Sequence, residues 1–124
     1  MILDHHVSII IPSTVDVDKP AGDLAEKLAL AALEKFARLF GGASRTNGQG
    51  AWISEDKGLV VEDNTIITSY CDKHDLMRQL SDVLAFAQLV CKQMGQECVA
   101  VQVDDSMCFV DATTYPAVLQ KLAA

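Results

Sequence analysis

The sequence predicts an α+β domain in which two helices cover one face of an antiparallel sheet. Two long stretches with apolar residues at helical spacing, each closed by a glycine, predict the helices. Short β-branched runs before, between and after them predict the strands. The 124 residues suit a single domain spanning 1–124, and 50% of them are hydrophobic, enough for an ordinary core.

Val7 to Ile11 is a β-branched run closed by Pro12 and reads as a buried strand. The "PSTVDVDKPAGD" that follows is too broken by Pro and Gly for regular structure. Asp23 is placed to N-cap a helix from Leu24 to Phe40, with Leu24, Leu28, Ala32, Leu33, Phe36 and Phe40 on one side. Gly41 stands where a helix ends in the left-handed conformation that glycine adopts without a Cβ penalty. Ala51–Ser54 reads as a short strand, "EDKG" as a turn, and Leu59–Cys71 as a long strand. Its alternation falters at Glu62, Asp63 and Asn64, which predicts a bulge or a break. Asp72 caps a second helix that runs on Leu76, Leu80, Val83, Leu84, Ala87, Val90 and Met94 and stops at Gly95. Val99, Val101 and Val103 alternate as a half-buried strand, and Met107–Val110 returns as a hairpin. Tyr115–Leu122 reads as a last helical turn or two.

This order, β-α-β-β-α-β with an added C-terminal hairpin strand, is that of a ferredoxin-like fold. It leaves one sheet face without helices. Ser8 and Ile10 on the first strand and Cys98, Ala100 and Gln102 on a later one point that way, so the face is partly apolar and predicts a homodimer.

A net charge of −7 and a pI of about 4.7 oppose binding to phosphate backbones, and the ten Lys and Arg form no basic stripe. Nucleic acid is therefore not an expected partner. No apolar run is long enough to span a bilayer, and "MILDHHVSIIIPS" lacks the basic start of a secretory signal, so the expected setting is cytoplasmic. Cys71, Cys91, Cys98 and Cys108 form no Cys-x-x-Cys pair and read as buried free thiols. His5 and His6, adjacent on a strand, point to opposite faces and do not share a metal; neither a metal nor a cofactor is expected. Cys71, just before the N-cap of the second helix and three residues from His74, is where a thiolate would be stabilised, but it reads more simply as a space-filling strand-end residue.

The glycine-rich "LFGGASRTNGQGAWISEDKGLVVED" raises the question of a phosphate loop. Its glycines follow a helix, where free carbonyls and the negative dipole end repel an anion. No Gly-Lys-Ser/Thr ending is present. The plain reading is a helix cap, a loose connection and a hairpin, with Trp52 filling the core. A sharper one gathers Trp52, Glu62, Gln96 and Glu97 at one sheet end, where two carboxylates near apolar strands could share a proton or meet a cation. Against it stands the reading that each acid sits in water or pairs with Arg45 or Lys57.

"LFGGAS", "GQGAWI", "GLVVED" and "MGQECVAV" together resemble the pattern of small uncharacterised bacterial proteins with a ferredoxin-like α+β fold, over roughly Phe40 to Val101. The resemblance implies that fold and the candidate ligand-binding positions Gly42, Trp52, Glu62, Gln96 and Glu97. It implies no reaction and assigns no catalytic residue; such proteins are often encoded on mobile elements. The leading expectation is a non-enzymatic, dimeric binding module that uses its open sheet face and the Gly42–Trp52 loop toward a protein or small ligand. The alternative is a small enzyme or ligand-binding protein with a pocket around Glu62, Gln96, Glu97 and Trp52.

Overall fold

The computed structural model describes residues 1–15 and 19–113; the expected helical turn at Tyr115–Leu122 lies outside the described residues. Along the chain run β1 (His5–Pro12), β2 (Thr14–Val15), β3 (Lys19–Pro20), α1 (Asp23–Phe40), β4 (Ser44–Ser54), β5 (Gly58–Cys71), α2 (Lys73–Met94), β6 (Val99–Val103) and β7 (Ser106–Val110). Five strands form one antiparallel sheet in the order β4-β5-β1-β6-β7, and β2 and β3 make a small separate ladder in the segment that was expected to be irregular. The protein is thus of the α+β class, with two helices on a five-stranded antiparallel sheet.

Period-two alternation decides which side the helices cover. Val7, Ile9 and Ile11 of β1, Ile67 of β5 and Val99, Val101 and Val103 of β6 are all but fully buried. They meet Leu28, Ala32 and Phe36 of α1 and the Leu76–Met94 stripe of α2. Phe36 is completely enclosed; truncating such a side chain to Ala costs about 3–5 kcal/mol. Among the described residues nothing covers the opposite face, where Tyr70, Met107 and Phe109 stand exposed.

Both helices keep close to their expected bounds, but their starts differ. Asp72 caps α2, its carboxylate accepting from the Asp75 N–H at 2.8 Å. Asp23 does not cap α1: Gly22 takes that position, no side chain caps the helix, and Asp23 instead places its charge in the first turn. There it favours the positive dipole end without a cap hydrogen bond.

The largest departure concerns β4. Ser44–Gly50, expected to be a loose connection, extends the short strand expected at Ala51–Ser54 into one eleven-residue strand, paired without interruption from Ser44↔Thr68 to Ser54↔Gly58. The bulge expected at Glu62–Asn64 is absent, since that register is unbroken. What changes there is the neighbour on the other side: β1 pairs with β5 only as far as Pro12↔Asn64. Beyond that point, among the described residues, β4 and β5 continue alone as a two-stranded arm. Ser54 Oγ accepts from the Asp56 and Lys57 N–H groups at 3.3 and 3.2 Å, and Gly58, at φ 73°, closes the turn at the tip.

Candidate functional site

The arm and the end of α2 build the site from opposite sides. On β5, Glu62 faces the way of Asn64 and Ile66, toward the helix-free side of the sheet. Its partner across the ladder is Gly50, and Trp52 lies one pleat further along β4. Trp52 is not the core residue expected: it is 47% exposed, because the part of β4 that carries it has left the body of the sheet.

Across from the arm, α2 ends at Gly95 (φ 60°), and the Gln96 N–H donates to the Cys91 carbonyl at 3.1 Å. The Gln96 side chain is held as well, Nε2 donating to the Thr14 carbonyl at 2.7 Å, and the Cys91 thiol donates to the Gln96 carbonyl at 3.0 Å. Gln96 and Glu97 therefore do not open a strand. They lie in the short α2–β6 loop, whose course these bonds fix.

Trp52, Glu62, Gln96, Glu97 and Cys98 line one cleft of about 370 Å³. A smaller cleft of about 190 Å³ adjoins it and shares Glu62, Gln96 and Cys98. Four of the five residues singled out in the sequence thus meet. The fifth, Gly42, does not. It precedes β4 at the end away from Trp52, and ten residues of extended chain separate the two by roughly 30 Å. Its carbonyl accepts from Ser69 Oγ at 2.7 Å, and it borders a cleft of about 500 Å³ with Phe40 and Tyr70. No residue lining that larger cleft has a carboxylate, imidazole, thiol or cationic side chain; its polar side chains are the hydroxyls of Ser44, Thr68, Ser69 and Tyr70.

Arg45, a possible partner for the acids, is elsewhere, holding Glu26 of α1 through two bonds of 2.9 and 2.6 Å. Among the described residues neither Glu62 nor Glu97 has a hydrogen bond or a cationic partner. The cleft thus offers two uncompensated carboxylates beside an indole, a setting that suits a cation with an apolar portion.

Two residues of the clefts escaped the sequence reading. Cys98 is exposed, unlike the other three cysteines. Burial pushes its thiol above the ordinary value, and the Glu97 and Asp111 carboxylates add to this, so at neutral pH it is a thiol and not a ready nucleophile. Asn64, at the point where β1 ends, borders the smaller cleft. Its signal lay in register: counting back from the "EDKG" turn places it opposite Gly48.

The remaining constellations are structural. Cys71 is buried, and burial, with Asp104, Asp75 and Asp72 nearby, pushes its thiol up to about 11, which rules against an activated thiolate. His5 and His6 do point to opposite faces, yet both meet Asp104 in the β6–β7 turn: His5 Nδ1 is 2.8 Å from Oδ2, and the His6 backbone N–H donates to Oδ1 at 3.0 Å. No group of His, Cys, Asp or Glu among the described residues is arranged to hold a metal. No described helix is long and apolar enough to cross a membrane.

No protein-family model and no curated protein sequence matches the chain. Solved structures do. A phage SAM lyase in complex with S-methyl-5′-thioadenosine is similar with a TM-score of 0.61 and 19% identity, over 90% of this chain and 92% of that one. A phage SAM lyase in the apo state gives 0.60 and 20% over the same shares. CutA of Pyrococcus horikoshii gives 0.43 and 13%, over 95% of this chain and 93% of that one. For the phage SAM lyases, at these identities, the likeness is one of fold alone.

Proposed function

We propose that the chain binds an S-adenosyl sulfonium in the cleft between the β4–β5 arm and the α2–β6 loop, and cleaves it as a lyase to release S-methyl-5′-thioadenosine. The observation that carries this reading is the convergence of Trp52, Glu62, Gln96 and Glu97 on one cleft with both carboxylates unpaired. A sulfonium is a cation on an apolar framework, which an indole face and two carboxylates attract. The likeness in fold to a phage SAM lyase that holds the thioadenosine supports the choice among cations.

The chemistry balances without an outside reactant. The bond between sulfur and the amino-acid side chain breaks, and both electrons remain on sulfur, which becomes a neutral thioether. The vacated carbon is satisfied within its own fragment, by closure onto the fragment's carboxylate or by loss of a neighbouring proton to Glu62 or Glu97. Loss of the positive charge weakens the grip of the two acids and favours product release.

Incubation with S-adenosylmethionine and chromatography of the products tests this. Thioadenosine release is expected, falling by about 100-fold or more in Glu62→Gln, the usual scale for loss of an acid–base group. Absence of both product and binding would sink the reading.

A second reading keeps the chain as a dimeric interaction module. It is favoured by Ile53, Leu59 and Val61, which are 74%, 64% and 53% exposed on the arm, and by Phe109 on the open face. Light scattering across a concentration series separates the two: a module predicts a stable dimer and no turnover. The strand order supports reading the architecture more finely as ferredoxin-like, with β7 added beside β6.

A further inference from the structure

Among the described residues one side-chain polar atom is buried without a hydrogen-bond partner: Oδ1 of Asn64. Buried carbonyl oxygens are nearly always paired, so an orphan asks for a reason. Asn64 stands at a junction, with Gly48 on one side of it in the sheet and Pro12 on the other. Its carboxamide lies over the glycines of β4. A Cβ at Gly48 would come within 2.8 Å of Oδ1, and one at Gly50 within 3.5 Å of Nδ2. The bare backbone at Gly48 gives the amide its place, whereas at Gly50 the contact would be an ordinary one.

The same residue borders the smaller cleft, of about 190 Å³, whose other walls include Ile10, Pro12, Ala100 and Phe109. Sites for whole small molecules begin at roughly 300 Å³. This cleft therefore suits one ring system of a ligand whose remainder occupies the adjoining 370 Å³. Apolar walls suit the ring faces. Its edge needs a polar reader, and the other carboxamide nearby, Gln96, already spends its Nε2 on Thr14. A carboxamide presents a donor beside an acceptor, and an adenine presents the complement, with its N6 amine and N7 on one edge.

We infer that the smaller cleft is the base pocket of the adenosyl ligand, and that Asn64 determines specificity there by accepting from the N6 amine through Oδ1 and donating to N7 through Nδ2. The inference rests on the adenosyl reading above and deepens it. Turning the amide toward the cleft is a rotation about a broad terminal torsion, and it gives the orphaned oxygen the partner it lacks in the free protein.

The test compares S-methyl-5′-thioadenosine with its inosine counterpart, which carries a carbonyl oxygen in place of the N6 amine, by calorimetric titration. The unaltered protein is expected to prefer the adenosine compound by roughly 10- to 100-fold, the value of one bidentate base contact. In Asn64→Ala the preference falls to within about twofold, while the melting temperature does not drop, because Oδ1 makes no bond that the fold loses. Gly48→Ala, which presses a methyl group on the amide, lowers the preference too and carries the test if Asn64→Ala does not fold. If the unaltered protein binds neither compound, the base pocket and the adenosyl reading fall together. If it binds the adenosine compound and the preference survives in both variants, the assignment of Asn64 falls and the adenosyl reading stands.

Discussion

Gly50 stands directly across the β4–β5 ladder from Glu62, and the side chain missing at Gly50 leaves the Glu62 carboxylate a cleft to face. A Cβ at this position would touch only Asn64 Nδ2, at 3.5 Å, an ordinary contact. Glycine is thus not demanded here by packing. Its effect is to keep space open.

Filling that space separates site from fold. Gly50→Val places a β-branched residue where a strand accepts one readily. Circular dichroism and melting temperature are expected to stay as they are, while affinity for an adenosyl ligand drops by about tenfold or more. Trp52 is the sole tryptophan and lies in the adjoining cleft, so its fluorescence reports the titration directly. An unchanged binding curve in the variant would show that the cleft beside Gly50 takes no part.

The cysteines give a footprint of the same site. Cys98 is exposed and the other three are buried, so a disulfide-exchange reagent should label one thiol per native chain and none in Cys98→Ser. Labelling should be slow at neutral pH and quicken as pH rises, since burial and the nearby Glu97 hold the thiol above its ordinary value. Bound thioadenosine should protect it. Labelling of several thiols in the native protein would contradict the packing described.

Asp104 ties the β6–β7 turn to the start of β1. Burial pushes its carboxyl up, but the bonds from the His5 ring and the His6 N–H, with the charge of both imidazoles, more than offset this and hold it below its ordinary value of 3.8. A carboxyl with a lowered value contributes stability that is present above 3.8 and lost as pH falls through the lowered value. Asp104→Asn suits the left-handed backbone at this position (φ 51°) and removes the charge together with one of the two acceptor oxygens. With the carboxylate 31% exposed, the expected loss at pH 7 is about 1 kcal/mol. Melting curves should also show a flatter acid limb below about pH 4. Parallel pH profiles for the two proteins would refute the clasp.

Much of this was legible in the residues, for reasons that differ by element. The helices announced themselves through one apolar stripe each, and Asp72 and Gly95 marked the ends of α2 by their chemistry. The first half of β4 did not show, because Ser44–Gly50 is polar and glycine-rich and carries no alternation to read. It is a strand because β5 pairs with every residue of it. The faltering pattern at Glu62–Asn64 was real, but it recorded the loss of β1 as a neighbour, which sequence order alone does not reveal. Trp52, Glu62, Gln96 and Glu97 could be grouped because acids and an indole beside apolar strands are unusual. Gly42 was joined to them only through the resemblance, and an extended strand carries it away. Asn64 and Cys98 became visible only once the hairpin register and the course of the α2–β6 loop were known.

The β4–β5 arm resembles a cantilever bolted to the domain at one end. Trp52 and Glu62 ride on it, whereas Gln96 and Glu97 are fixed to the body. The gap between the two sets is governed by the coil of a two-stranded ribbon, which twists more strongly than a broad sheet, and hardly at all by the hydrophobic interior. Selection could therefore retune this jaw through the ribbon alone, for instance at Gly58, without disturbing Phe36 or the α2 stripe. Lineages that share the domain would then be free to diverge in what they grasp while melting at much the same temperature.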